Sequence, residues 1–211
     1  NIAYPESKED VNFFTLFGSP IAHPTVLGYA HIFKKNPYRK IAAEDYDLWS
    51  RLLSKGLNIG NMQASLLNYR VHENQITLDK TDIIKSSILI SRQYISTYID
   101  DDEIRHQLEK YKCFMEGSYS FKDIYSFSRK ICNLANTKKV SKSMQLRALS
   151  IMFARSSSYN LVTLIYYIKA IKYTNSKIIN GIDKRLAFLF IFSINKKSKL
   201  FLLLKQVIKS S

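Results

Sequence analysis

Cysteine is scarce in these 211 residues: Cys113 and Cys132 stand alone, neither in a C-x-x-C pair nor at metal-ligand spacing. Two isolated thiols exclude a disulfide scaffold and fit a reducing compartment. Proline does not occur after Pro37, glycine is sparse from Lys80 onward, and that region has no apolar–polar alternation of period two. A sheet needs such alternation and turn punctuation, so the later part of the chain reads as helical. Apolar runs are short. Leu186–Ile194 covers nine residues, whereas a membrane-spanning helix needs ~20. No helix-turn-helix or RNA-binding motif appears, which makes nucleic acid the less favoured partner. No secretory signal opens the sequence, and the first residue is Asn1 rather than Met, so a processed chain or the tail of a longer one is expected.

What is present is enough for a core, since 46% of residues are apolar and 13% aromatic. The net charge of +15 is unevenly distributed. Residues 1–80 hold nine Lys/Arg against eight Asp/Glu, and the remaining 131 residues hold twenty-three against nine. The second region therefore suits an anionic partner, phospholipid before nucleic acid, or else carries a lysine-rich solvated face.

The most informative stretch is Ala43-Glu44-Asp45-Tyr46-Asp47-Leu48-Trp49. Leu48, Trp49, Leu52 and Leu53 fall on one stripe at helical spacing. Glu44, Asp45 and Asp47 stand in the first turn, where carboxylates are stabilised by unpaired N–H groups and the macrodipole. Asp47 and Arg51 can pair at i, i+4, a surface pair whose loss would cost little. Gly56 supplies the stop. By spacing alone dipole compensation is the better explanation of these acids, since acidic first turns are common.

Around this helix the sequence predicts short strands. Ile21–Leu27 reads as a strand bent at Pro24, Leu57–Met62 alternates with period two, and Ser65–His72 is a further candidate. Asn36-Pro37-Tyr38-Arg39-Lys40 reads as a turn with basic residues around it. His23 before Pro24 is either a packed, hydrogen-bonded histidine or part of a site.

His23-Pro24-Thr25, then Glu44-Asp45-Tyr46-Asp47-Leu48-Trp49 with Arg51-Leu52-Leu53, then Leu66-Leu67-Asn68-Tyr69-Arg70-Val71-His72, taken in this order, resemble the acceptor-side half of bacterial family 2 glycosyltransferases of the O-antigen and surface-polysaccharide type. The resemblance covers roughly residues 1–80 and implies an α/β fold there, a partial GT-A domain with a small mixed sheet, followed by an all-helical region over 81–211. It also implies an inverting enzyme that moves a sugar from a nucleotide-sugar donor to a lipid-linked or saccharide acceptor. By position Asp45 becomes the general base and Glu44 its neighbour in the acceptor pocket. Trp49, packed beneath the site, Arg70 and His23 become acceptor-side residues, and His72 a candidate metal ligand. A divalent cation, magnesium or manganese, would stabilise the leaving nucleoside diphosphate. The resemblance places that cation on an Asp-x-Asp motif that closes a nucleotide-binding region, and no such motif precedes Glu44. In Asp45-x-Asp47 the two side chains diverge by about 200° on a helix. The donor half is therefore expected to lie outside this chain.

After Lys80 the caps and apolar spacing predict helices from Thr81 to about Ile99, from Asp100 to Met115, from Ser118 to Thr137, from Ser141 to Arg155 and from Ser158 to Lys172. Two more are expected over 183–194 and 199–209. The last two are apolar and rimmed by lysines, which suits an anionic membrane surface as well as it suits a bundle core. The lipid-linked acceptor of related enzymes favours the membrane and a cytoplasmic, peripheral location at the inner face of the cell membrane. The alternative is a non-catalytic basic helical module that binds anionic membrane or nucleic acid.

Overall fold

Eight α-helices and three short 3-10 turns make up the regular structure of residues 4–65, 67–68 and 80–176, the part of the chain described by the computed structural model. The α-helices, in chain order, are α1 (Lys8–Phe14), α2 (Ala30–Lys35), α3 (Glu44–Ser54), α4 (Lys80–Tyr98), α5 (Asp102–Lys110), α6 (Phe121–Thr137), α7 (Lys142–Phe153) and α8 (Leu161–Ile171). Contacts divide the chain into two compact units, Asn1–Glu116 and Gly117–Ser211. Helices α4 and α5 belong to the first.

No strand forms among the described residues; the nearest feature is an isolated parallel bridge between Tyr119 and Ser156. The expected α/β architecture, a partial GT-A domain with a small mixed sheet, is therefore incorrect. Each misread segment has a local cause. Pro24 starts a single 3-10 turn over His23–Thr25, where its fixed φ suits a first turn and its missing N–H costs nothing. The Thr25 N–H and hydroxyl both donate to the Ala22 carbonyl, at 3.0 and 2.8 Å. In the segment after Gly56, Leu57 and Ile59 alternate because one side of an extended coil packs on the α3 core. Its anchor is a side chain, the Asn61 amide, which donates to the carbonyls of Pro5 and Pro20. Of Ser65–His72, only Ser65, Leu67 and Asn68 are described, and they are not in a strand. Arg70, His72 and the two expected helices over 183–194 and 199–209 lie outside the described residues.

In the first unit α3 is the central element. Ile21, Leu48, Trp49 and Leu52 form a buried cluster, covered by Val26, Ile32, Phe33, Leu57 and Ile59. Its other flank meets α4. Tyr46 is buried and its hydroxyl donates to the Thr15 carbonyl, while Ser91 of α4 donates to the Leu16 carbonyl at 2.8 Å. Tyr94 Oη donates to Asn12 Oδ1 at 2.6 Å. These bonds tie α1, α3 and α4 together through polar atoms that would otherwise be orphaned in the interior.

The second unit packs α6 against α7 and α8. Ser120, Ser141 and Asn160 cap the three helices, each accepting from the backbone N–H three residues on. Ile124, Phe127, Ile131, Leu149, Phe153 and Tyr167 fill the space between them.

Candidate functional site

Helix α3 begins abruptly. Ala43 takes the N-cap position in the left-handed region, φ 62°, and offers no capping side chain. Glu44 and Asp45 follow at once, half-buried, beside N–H groups that no cap satisfies. Asp45 lies three and four residues before Leu48 and Trp49, so it shares their side of the helix. Trp49 is only 1% exposed and forms the floor beneath that side.

Two rings from the preceding chain stand against this floor. The His23 and Tyr38 rings are 5.3 Å apart, and each meets Trp49 nearly edge-on, at 6.2 and 6.5 Å between centroids. His23 Nε2 and Tyr38 Oη are hydrogen-bonded at 3.1 Å. Burial, then the negative charges of Asp45 and Glu44, push the Tyr38 phenol above its ordinary value. Both carboxylates thus act on the same phenol. His23 and Tyr38 are exposed, so the group opens to solvent. The Trp49 indole Nε1 is buried and has no hydrogen-bond partner among the described residues.

The structure therefore brings together four of the residues expected from the sequence: Glu44, Asp45, Trp49 and His23. It adds Tyr38, which sequence reading left outside the site. The only local signal for Tyr38 was the Asn36-Pro37 turn, which delivers the residue to Trp49 by a route that spacing does not encode. Chemically, the group offers carboxylates that can accept a proton, ring faces for the apolar side of a ligand, and an imidazole and a phenol for its hydroxyls.

Asp47 plays a different part. It is 2% exposed, and Arg51 Nε lies 2.8 Å from its Oδ2 while Arg39 Nη1 lies 3.4 Å from its Oδ1. Arg51 also donates from Nη2 to the Pro37 carbonyl at 2.9 Å. The pairing with Arg51 was legible at i, i+4; the burial and the second arginine were not. An aspartate held by two guanidiniums is poorly placed to serve a cation with Asp45. No group of three or more His, Cys, Asp or Glu among the described residues could hold a metal. The described donor set does not fit a divalent cation.

No family model matches the chain, and no solved structure does. A curated protein does: the chain is similar to the O-antigen biosynthesis glycosyltransferase WbnJ of Escherichia coli, 36% identical over 80 residues. Part of the chain is related to a glycosyltransferase. The match covers 34% of this chain and 29% of that protein, so the chain spans under a third of the length of the relative.

Proposed function

We propose that the chain supplies the acceptor side of an inverting glycosyltransferase in surface-polysaccharide (O-antigen) biosynthesis. It would transfer a sugar from a nucleotide-sugar donor to a hydroxyl of a lipid-linked or saccharide acceptor. The partial relationship to an O-antigen glycosyltransferase carries this reading. The pair Glu44 and Asp45 beside His23, Tyr38 and Trp49 supports it by offering an open, ring-walled place with a proton acceptor.

Asp45 is the base in this reading. Its carboxylate takes the proton of the acceptor hydroxyl as that oxygen bonds to the anomeric carbon, and the bond from that carbon to the nucleoside diphosphate breaks with inversion. Glu44 and the His23–Tyr38 pair position the acceptor. The nucleotide sugar is held by residues other than those described. The excess of Lys/Arg beyond residue 80 supports a place against the anionic inner face of the cell membrane, where a lipid-linked acceptor is presented. Among the described residues no helix is long and apolar enough to cross a membrane.

The test is Asp45→Asn in the full-length enzyme, assayed with a sugar nucleotide and a lipid-diphosphate saccharide acceptor. Turnover should fall about 10²–10⁴-fold with little change in melting temperature. Asp82→Asn is the matched control, since Asp82 occupies the first turn of α4 and is largely exposed. If first-turn acids serve only the helix dipole, the two variants will behave alike and the assignment of Asp45 fails.

A further inference from the structure

The face of α3 turned away from Asp45 borders a second concavity, between α3 and α4, of about 370 Å³. Arg39, Arg51 and Lys55 line it, joined by Ser54 of α3 and by Gln93 and Thr97 of α4. No carboxylate is among its lining residues. Asp47 lies behind the arginines and offsets one of the three positive charges. Two remain in excess around one small opening. Like charges gathered in a concavity repel one another, and an anion placed between them relieves that cost. The volume falls near the low end of the ~300–1,000 Å³ of small-ligand sites, which suits a headgroup more than a large ligand.

We propose that this cleft binds a phosphate or diphosphate group. The donor set has the right chemistry. Arg39 is 56% exposed, so its guanidinium can offer N–H groups to oxygens beyond the long contact with Asp47. Arg51 is fixed by Asp47 and the Pro37 carbonyl, which holds its guanidinium in place before a ligand arrives. Lys55 donates to Asn36 and is exposed, which leaves further ammonium protons for a ligand. Ser54 Oγ and Thr97 Oγ1, 3.0 Å apart, bridge the two helices at the same opening. Nothing in the proposed transfer uses this cleft, and it stands on its own geometry.

The experiment titrates the full chain with inorganic diphosphate by calorimetry in 0.15 M salt. In parallel it measures sedimentation with phosphatidylcholine vesicles, with and without phosphatidic acid. Arg39→Gln with Lys55→Gln should weaken binding about tenfold or more, the loss expected for two charge-assisted contacts. Lys34→Gln with Lys35→Gln removes the same charge from the exposed end of α2 and should change binding less than about twofold. Because Arg39 also touches Asp47, Lys55→Glu with Gln93→Glu gives a second cleft variant that leaves that ion pair in place. A cleft-specific loss with diphosphate assigns a soluble diphosphate ester, and a cleft-specific loss only with phosphatidic acid assigns a lipid headgroup. If the cleft and α2 variants lose equally in both arms, or wild-type chain binds neither probe, the cleft is not a phosphate site.

Discussion

Asp47 shows how far a residue's surroundings can depart from its spacing. On the sequence it is one half of an i, i+4 surface pair, the kind worth only a few tenths of a kcal/mol. In the folded chain it is buried between Arg39 and Arg51. Removing one partner of a buried pair leaves uncompensated charge and typically costs ~3–5 kcal/mol. Asp47→Asn should therefore destabilise the first unit by about 3 kcal/mol, the lower end of that range because Arg39 is half in solvent. Urea unfolding followed by circular dichroism checks this; a loss under about 1 kcal/mol would mean that water screens the pair. The placement of Asp45 over Trp49 was legible because i, i+4 geometry is local. Tyr38 and Arg39 were not, since they reach α3 through a turn rather than along a helix.

Helices were legible at the scale of elements because their ends are written in side chains. Ser141 was readable as a helix start and does cap α7, while the starts expected at Asp100 and Ser118 fall one and two residues before the caps Asp101 and Ser120. Strands were misread because alternation records one covered side and says nothing of a partner strand, as Leu57 and Ile59 show on the α3 core. Helix ends offer a direct comparison. At the end of α3, Gly56 sits at φ 79° and its N–H donates to Leu53, while the Leu57 N–H donates to Leu52. The end of α6 has the same two bonds, from Lys139 to Asn136 and from Val140 to Ala135, but Lys139 stands at φ 57°. An L-residue with a side chain is strained there, and glycine is not. Lys139→Gly should stabilise the second unit by about 1 kcal/mol. A higher midpoint in denaturant, at unchanged slope, is the expected result; a lower one would mean that the lysine side chain contributes contacts worth more than the backbone strain.

Over the whole molecule, the groups pushed from their ordinary values within the described residues are thiols and phenols, most of them buried, so its pH sensitivity should lie on the alkaline side. Burial pushes the Cys113 thiol up to about 11 and the Cys132 thiol up to about 12, from an ordinary value near 9. Burial likewise raises the phenols of Tyr46 and Tyr94. In the folded chain these groups keep their protons; in the unfolded chain the thiols release theirs once the pH passes the ordinary value. Between the two values the unfolded state binds fewer protons than the native state, so stability falls as pH rises. The contribution is complete below about pH 9 and is lost progressively towards 11 for Cys113 and 12 for Cys132. Melting temperature should hold through neutrality and decline above about pH 9, with the phenols adding to the decline above their ordinary value of 10. Cys113 lies in the first unit and Cys132 in the second, so Cys113→Ala and Cys132→Ala assign each unit's share. Each alanine variant will start from its own melting temperature, and the slope between pH 9 and 10 is the quantity that decides. A flatter slope in both variants follows if the thiols are sealed from water as these cores place them, whereas slopes parallel to wild type would show that the units open to solvent well below their melting points.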